Sequence, residues 1–209
     1  QSEVDGKGQV VFCFFGDGAS KQGAFHESLN IASLWKLPIV YVLENNNYNA
    51  QTRTDQEDAN AAAGEPLSVK ATAYSMPGVS VDGTDPIAVY RTVRAAAARA
   101  RDAAGPTLVE SSIYRFSAHG NLIAPPGVPL YFPEHEAISV FGNTEEYEAA
   151  KQGDPVPRFR GLLVTHGVLR PEQADQIGEA AAAEMQEAVT FGLDSPLPAP
   201  EEALQYVYA

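Results

Sequence analysis

The stretch that decides the fold is "FFGDGASKQGAFHESLNIASLWKLPIVYVLENNNYNA", residues 14–50. It starts within a short apolar run, residues 10–15, and such a run predicts a buried strand. A helical pattern follows, with apolar residues at spacings of four, three and three: Phe25, Leu29, Ala32 and Trp35. Pro38 ends that helix, and residues 39–43 predict a second buried strand. A strand, a helix and a strand this close together form a βαβ unit with parallel strands.

Strands and helices continue to alternate beyond this unit. Residues 77–83 predict a third short strand, and residues 108–113 predict a fourth. Between them, Asp85 and Pro86 are typical of a helix start, because one caps the helix and the other suits its first turn. The alternation predicts an α/β fold with a mainly parallel sheet.

The character of the chain changes after the fourth strand. Residues 119–155 are rich in proline, glycine and aromatic residues, and they predict a long loop that is functional or packed on a partner. Two helices are expected after it. We therefore divide the chain into an α/β domain (1–118), a long loop (119–155) and a helical C-terminal extension (156–209).

Composition narrows the class of protein. The 209 residues carry a net charge of −13, which disfavours nucleic-acid binding because little in the chain would neutralise phosphate backbones. Cys13 is the only cysteine, lies in an apolar run and is expected to be buried, and the lack of disulfides fits a reducing compartment. The apolar runs are too short to cross a bilayer. We expect a soluble, cytoplasmic protein that binds neither nucleic acid nor a membrane.

Polar side chains follow both strands of the βαβ unit. Asp17 comes after the first strand, and three consecutive asparagines, Asn45, Asn46 and Asn47, come after the second. Parallel strands end at one edge of the sheet, and the helix expected to start just after Gly18 would point its free N–H groups toward that edge. N–H groups favour a phosphate, and carboxylate and amide oxygens suit Mg²⁺. The residues therefore predict a magnesium–diphosphate site.

The paired motifs resemble a known family. Gly-Asp-Gly, followed after 26 residues by Asn-Asn, looks like the thiamine diphosphate fingerprint. The full opening stretch is similar to the alpha subunit of the thiamine-dependent, decarboxylating component of 2-oxoacid dehydrogenase complexes, which include pyruvate, branched-chain and acetoin dehydrogenases. The resemblance continues through "GVSVDGTDPIAVYRTVRAAAARARDAAGPTLVESSIYRF" and the final helices, and it is weakest at 120–150. It implies the three-layer thiamine diphosphate-binding fold.

The resemblance also implies roles for individual residues at this site. The metal ligands would be the side chains of Asp17 and Asn46 and the backbone carbonyl of Tyr48. Backbone groups at the Gly-Asp-Gly turn would contact the diphosphate: Gly16, Gly18 and Ala19, beside Asp17.

Other positions receive roles in the same way. His119, at the end of "YRFSAH", would lie beside the diphosphate and the reacting centre as a cofactor-binding and catalytic residue. Glu27 and Glu44 flank the motif and are expected to brace it. Asn49 departs from the family, which usually has Gly or Ala there, and Gly120 with a proline-rich insertion replaces the family's serine-containing loop.

The resemblance implies an activity and partners. Such an alpha subunit binds the magnesium–diphosphate half of the cofactor, while a beta-type subunit carries the pyrimidine-binding domain, and the heterotetramer oxidatively decarboxylates a 2-oxo acid and passes the acyl unit to lipoamide on a lipoylated acyltransferase. The family has well over a hundred residues before the first strand, where this sequence has few. Two explanations stay open: the N-terminal half is a separate chain, from a split gene or a nicked loop, or it is missing from this sequence. We expect it as a separate chain that is bound non-covalently. Two alternatives stay open: a thiamine-dependent carboligase or lyase outside such a complex, and a scaffold without cofactor.

Overall fold

The computed structural model describes residues 8–50, 52–116 and 144–205, and the chain divides into two compact units, Gln1–Val156 and Pro157–Ala209. The strands all lie in the first unit: β1 (Val11–Gly16), β2 (Ile39–Asn45), β3 (Tyr48–Asn49), β4 (Thr52–Arg53), β5 (Gly78–Asp82) and β6 (Thr107–Ser112). The helices of that unit are α1 (Gly23–Leu34), α2 (Ala59–Ala62), α3 (Pro86–Arg101) and α4 (Thr144–Gln152). Three 3₁₀ helices join these elements: Asp17–Lys21, Thr54–Gln56 and Leu67–Tyr74.

Four strands form one parallel sheet in the order β1-β2-β6-β5, and β3 pairs with β4 in a small antiparallel hairpin. Gly16 at the end of β1 is opposite Glu44, and Asn45 at the end of β2 is opposite Ser112. Because the strands run in one direction, their carboxyl ends meet at a single edge of the sheet. The predicted α/β class and the parallel βαβ unit are confirmed.

Two hydrophobic clusters cover the two faces of this sheet. On one face α1 and the 3₁₀ helix Leu67–Tyr74 pack on the strands around fully buried leucines: Leu29, Leu43, Leu67 and Leu108. On the other face the alanine-rich side of α3 packs on valines of the central strands: Val40, Val42 and Val109. Helices therefore lie on both faces, as the apolar runs of parallel strands require, and the molecule has the predicted three layers.

The start of α3 is built as the sequence predicts. The Asp85 carboxylate accepts hydrogen bonds from the backbone N–H groups of Ile87 (2.9 Å) and Ala88 (3.1 Å), and Pro86 occupies the first turn. These bonds satisfy two of the donors that a helix start leaves free. The cap fixes where the helix begins beyond β5.

The prediction that β1 is buried is wrong. It is an edge strand of the described sheet, and its apolar side chains are largely exposed, including Val11 (57%), Phe12 (40%) and Phe14 (64%). Cys13 is exposed for the same reason. An apolar run indicates that the side chains of a strand tend to be buried, but it does not indicate which segment packs against them. Trp35, expected on the buried face of the helix, lies just past the end of α1 and is 65% exposed.

Two predicted boundaries also differ from the structure. No α-helix starts directly after Gly18, because the 3₁₀ helix Asp17–Lys21 and an extended Gln22 precede α1. The predicted loop 119–155 lies mostly outside the described residues, but its last part contains α4. Acidic residues in the first turn of α4 and Lys151 in its last turn complement the helix dipole. Tyr147 is buried against the rings of Tyr114 and Phe116, with centroids 6.4 and 6.0 Å away, which anchors the helix.

The second unit is helical, as predicted for the C-terminal extension. It contains most of α5 (Pro155–Thr165), all of α6 (Pro171–Asp194) and a 3₁₀ helix at Pro200–Leu204. Gly167 between α5 and α6 has a φ of 67°, a conformation that suits glycine. Arg160 pairs with Asp175 across the two helices. Across the described ranges, no helix combines the length and the hydropathy that a membrane span requires.

Candidate functional site

Asp17 follows the last residue of β1, begins the 3₁₀ helix Asp17–Lys21 and is only 2% exposed. The hydroxyl of Thr54 donates a hydrogen bond to its Oδ2, and Ser20 Oγ donates to its backbone carbonyl (2.7 Å). Oδ1 receives no hydrogen bond from the described part of the chain. A nearly buried carboxylate with one oxygen held and the other free can bind a cation.

The asparagines after β2 form two overlapping side-chain turns. Oδ1 of Asn45 accepts a hydrogen bond from the backbone N–H of Asn47 (2.9 Å), and Oδ1 of Asn46 accepts one from the N–H of Tyr48 (3.1 Å). Asn47 has a φ of 64°, a left-handed conformation that asparagine tolerates better than most residues. An amide oxygen has two lone pairs, so Oδ1 of Asn46 can still accept a metal ion.

Thr54 joins Asp17 to this asparagine turn. Its side chain donates to the Asp17 carboxylate, and its backbone N–H donates to the carbonyl of Asn47 (2.9 Å). The 3₁₀ helix Asp17–Lys21 also packs against β3, which contains Tyr48. The structure therefore brings the two sequence motifs together at the carboxyl edge of the sheet.

A buried ion pair supports the segment that follows Asp17. Lys70 pairs with Asp58, and their side chains are 10% and 4% exposed. The same ammonium donates to Ser20 O (3.1 Å) and Ser20 Oγ (3.2 Å). Burial opposes ionisation of Asp58, but the hydrogen bond and charge of Lys70, with two backbone N–H groups, outweigh it and lower the pKa of Asp58. The carboxylate is ionised at neutral pH, and Lys70 ties three segments together.

Asn49 lies directly over Gly18. It donates from Nδ2 to Glu57 Oε2 (2.9 Å), and Glu57 also pairs with Lys21. The hydrogen bonds from Lys21 and then Asn49 lower the pKa of Glu57. A methyl carbon on Gly18 would lie 2.5 Å from Asn49 Oδ1, so this position requires glycine as long as Asn49 keeps its place.

Replacing Gly18 by alanine should displace the Asn49 side chain and break its hydrogen bond to Glu57, at a cost of about 1 kcal/mol. The double variant Gly18→Ala/Asn49→Ala should then be more stable than the sum of the two single changes predicts, since the clash is gone. Urea unfolding of the four proteins measures this coupling. Strictly additive effects would show that the two residues do not interfere.

Arg115 connects the last described residues before His119 to the site. Its Nη2 donates to the carbonyl of Ala50, next to the β3–β4 hairpin (3.0 Å). Burial lowers the pKa of Arg115, and the charge of Asp17 opposes that shift. The segment that leads toward His119 therefore runs past the Asp17 edge. His119 itself lies outside the described residues.

The donor set fits a hard divalent cation. Within the described ranges, no cluster of three or more His, Cys, Asp or Glu could hold a metal, which leaves no candidate for a histidine- or thiolate-rich site there. A free carboxylate oxygen and an asparagine amide oxygen at the same edge of the sheet are the donor types of a Mg²⁺ site, which keeps few protein ligands and completes its shell with phosphate and water. The residues present thus fit a magnesium-bound diphosphate.

The residues that brace the site are not the predicted ones. Glu27 and Glu44 are exposed, and no hydrogen bond of theirs appears in the described structure, so the prediction that they brace the motif is wrong. Alternation explains the error for Glu44, because its side chain lies on the opposite face of β2 from Asn45. The described contacts instead come from Thr54, from Lys70, and from Glu110, whose carboxylate accepts a hydrogen bond from Asn45 Nδ2 (2.8 Å). Only Glu110 left a signal in the sequence, as a single acidic residue inside an apolar strand.

Polar groups lie together at the carboxyl edge of the parallel sheet. This arrangement is typical of α/β proteins that bind a ligand at the carboxyl ends of their strands. The chain belongs to the dehydrogenase E1 component family, whose model matches residues 1–125.

Curated relatives agree with that membership. The chain is similar to the 2-oxoisovalerate dehydrogenase subunit alpha of Bacillus subtilis, with 36% identity over 99% of this chain and 57% of the relative. It is also 36% identical to the alpha subunit of an acetoin:2,6-dichlorophenolindophenol oxidoreductase of Bacillus subtilis, over 95% of this chain and 54% of the relative. A pyruvate dehydrogenase E1 component subunit alpha of Porphyra purpurea is 32% identical over 98% and 54%. The chain spans about half the length of these relatives.

Proposed function

We propose that this chain is an alpha-type subunit of a thiamine diphosphate-dependent enzyme that oxidatively decarboxylates a 2-oxo acid and transfers the acyl unit to lipoamide. The observation that carries the proposal is the bridge by Thr54 between the Asp17 carboxylate and the asparagine turn. It gathers, at one edge of the sheet, the two motifs that the family fingerprint pairs. The family is thiamine diphosphate-dependent.

In this proposal the chain holds the diphosphate end of the cofactor. The Asp17 and Asn46 side chains and the Tyr48 carbonyl bind Mg²⁺. Backbone groups at the turn after β1 contact the diphosphate: Gly16, Gly18 and Ala19, beside Asp17. His119 is assigned to the reacting centre. Bound there, thiamine diphosphate supplies the electron sink for decarboxylation, and the chain supplies position and electrostatics.

Partners complete the proposed enzyme. We assign the other half of the cofactor site to a beta-type subunit with a pyrimidine-binding domain, in a cytoplasmic heterotetramer, and the acyl acceptor to a lipoylated acyltransferase. We also propose that further polypeptide, equivalent to the part of the relatives that this chain does not span, covers β1. The exposed Phe12 and Phe14 on that strand support this proposal, because an uncovered apolar edge favours aggregation. We assign this role to a separate N-terminal half of the alpha subunit.

The names of the relatives favour dehydrogenase chemistry over the carboligase alternative. Those compared above are all alpha subunits of dehydrogenases or of an oxidoreductase. The substrate among 2-oxo acids would then be found by assaying the complete complex with pyruvate and branched-chain 2-oxo acids. An active complex that, without any lipoyl acceptor, releases the aldehyde or a 2-hydroxy ketone instead would favour a lyase or carboligase.

Asp17→Asn tests the cofactor site. The amide still accepts a hydrogen bond from Thr54, but it removes the negative charge that binds the metal, so Mg²⁺-dependent affinity for thiamine diphosphate should fall by about 10- to 100-fold. Calorimetry on the chain together with its co-purifying subunits measures this. Asp55→Asn is the matched control, because Asp55 is exposed and pairs with Arg53.

Two negative results of this experiment would have different meanings: one would reject the location of the metal site, and the other would reject the cofactor. Unchanged binding by Asp17→Asn would show that the metal lies elsewhere. If the wild-type complex itself fails to bind thiamine diphosphate with Mg²⁺, the thiamine proposal is wrong and the scaffold alternative gains.

A further inference from the structure

We propose that Glu110 is a positioning residue for the metal site, because it fixes the orientation of the Asn45 amide from which the asparagine turn is built. The inference rests on the proposed function for its metal, but the hydrogen-bond geometry stands by itself. Glu110 lies on β6, beside β2, and is 2% exposed. In the described structure it makes no hydrogen bond to a predicted ligand, so its effect on the metal site passes through its hydrogen-bond partners.

Both oxygens of the Glu110 carboxylate are held by donors. Oε1 accepts from Asn45 Nδ2 (2.8 Å), and Oε2 accepts from the backbone N–H of Ser68 (2.8 Å). Ser68 belongs to the 3₁₀ helix Leu67–Tyr74, which also carries Lys70. Glu110 thus connects the asparagine turn to the helix that supports the segment after Asp17.

The orientation of the Asn45 amide follows from its two neighbours. Oε1 of Glu110 acts as an acceptor, so it faces the NH₂ group of Asn45. The backbone N–H of Asn47 only donates, so it faces Oδ1 (2.9 Å). No other amide orientation satisfies both contacts. The position of Asn46, which lies between these two residues, is fixed as a result.

Glu110→Gln should disrupt these hydrogen bonds, although glutamine has nearly the same side-chain shape as glutamate. A glutamine offers one acceptor to two donors, Ser68 N–H and the Asn45 NH₂ group. If Asn45 turns over to accept from the new amide, it turns its NH₂ toward Asn47 N–H and the first side-chain turn is lost. Either way a buried donor is left unpaired.

Asn45→Asp combined with Glu110→Gln should restore every contact. The new amide at position 110 then accepts from Ser68 N–H and donates to one oxygen of the new carboxylate at position 45, while the other oxygen of that carboxylate accepts from Asn47 N–H. The pair still holds one carboxylate. Asn45→Asp alone should fail, because two buried carboxylates would then face each other.

The experiment measures Mn²⁺ binding, by electron paramagnetic resonance in the presence of thiamine diphosphate, on the chain with its co-purifying subunits. We expect Glu110→Gln to weaken Mn²⁺ affinity by about tenfold or more, and the swapped double variant to return to within about threefold of wild type. Hydrogen exchange of the peptide containing Asn47 and Tyr48, without metal, should rise in Glu110→Gln and fall again in the swap. Asp85→Ala is the stability control, since it removes a helix cap outside the site.

Each outcome decides the matter. Wild-type Mn²⁺ affinity and exchange in Glu110→Gln, or a swapped variant that stays weak or unfolded, would overturn the positioning role. Weakened affinity in Asp85→Ala to the same degree would reduce Glu110 to general stability and overturn it as well. If the wild type binds no Mn²⁺, the proposed function fails, and the metal-free exchange data still decide whether Glu110 orders the turn.

Discussion

Lys70→Met is expected to lower the free energy of unfolding by about 3 kcal/mol or more, because it leaves the buried Asp58 carboxylate without its counter-charge. An ammonium carries three hydrogens, and in the folded protein they face three acceptors: Asp58 Oδ2, Ser20 O and Ser20 Oγ. Methionine fills much of the same space and satisfies none of them. Urea unfolding at neutral pH measures the loss.

Lys21→Met is the matched control for this prediction. It makes the same chemical change in the Lys21–Glu57 pair, whose side chains are 19% and 28% exposed. Solvent-accessible pairs contribute about 1 kcal/mol or less, so the control should be far milder. Equal losses at the two positions would show that burial of the Lys70 pair adds nothing.

The difference between wild type and Lys70→Met should depend on pH. The pKa of Asp58 is lower in the folded protein than its ordinary value, so its ion pair stabilises the fold above the ordinary aspartate pKa of about 4. That contribution is lost as the pH falls below this value and through the lower folded-state pKa. Once Asp58 is protonated, the variant no longer buries an uncompensated charge, and the two unfolding curves should converge. A gap that stays constant down to strongly acidic pH would contradict this account.

Gly78→Ala should destabilise the first unit by about 3 kcal/mol. A methyl carbon at this position, the first residue of β5, would lie 2.0 Å from the carbonyl oxygen of Ser68 and 3.0 Å from Cβ of Ala71. The obstacle is mainly backbone, and Ser68 is tied to Glu110, so the 3₁₀ helix cannot move away without breaking that bond. Thermal unfolding measures the change.

Gly161→Ala provides the comparison for Gly78→Ala. Gly161 lies inside α5, and a methyl group there meets nothing within 4 Å. Alanine should stabilise that helix by up to about 1 kcal/mol, because glycine loses more backbone entropy on folding. If Gly78→Ala lowered the stability no more than Gly161→Ala does, the close contact between β5 and Ser68 would not exist in the protein.

The sequence predicts the local and the periodic features of this fold well. Periodicity places α1 between two parallel strands, and Asp85 with Pro86 marks the start of α3. The meeting of Asp17 with the asparagine turn follows from one rule, that parallel strands end at the same edge. These features depend on neighbouring residues, so the sequence carries them directly.

The supports of the site depend on contacts between distant segments, and the sequence does not predict them. Thr54 reaches Asp17 across 37 residues, and Lys70 reaches Ser20 across 50. No local pattern distinguishes these side chains from other polar residues in loops. The prediction that β1 is buried was wrong for a related reason. Hydrophobic residues indicate that a strand surface needs to be covered, but they do not indicate which segment covers it. The metal-binding, diphosphate-binding and catalytic roles of the site residues all stay predictions: Gly16, Asp17, Gly18, Ala19, Asn46, Tyr48 and His119.

The ion pairs around Asp17 affect how the carboxyl edge of the sheet can bind a polyanion such as a diphosphate. Lys21 is neutralised by Glu57, and Lys70 is neutralised by Asp58. Neither lysine therefore brings net positive charge. Arg115 does interact with the charge of Asp17, but the whole chain carries a charge of −13. Repulsion would then keep a bare diphosphate away, and a divalent cation would be needed to reverse the local potential before the anion could settle. In the proposed enzyme, the metal and the diphosphate would therefore bind together as one complex. A chelator that removes the metal would then release the diphosphate as well.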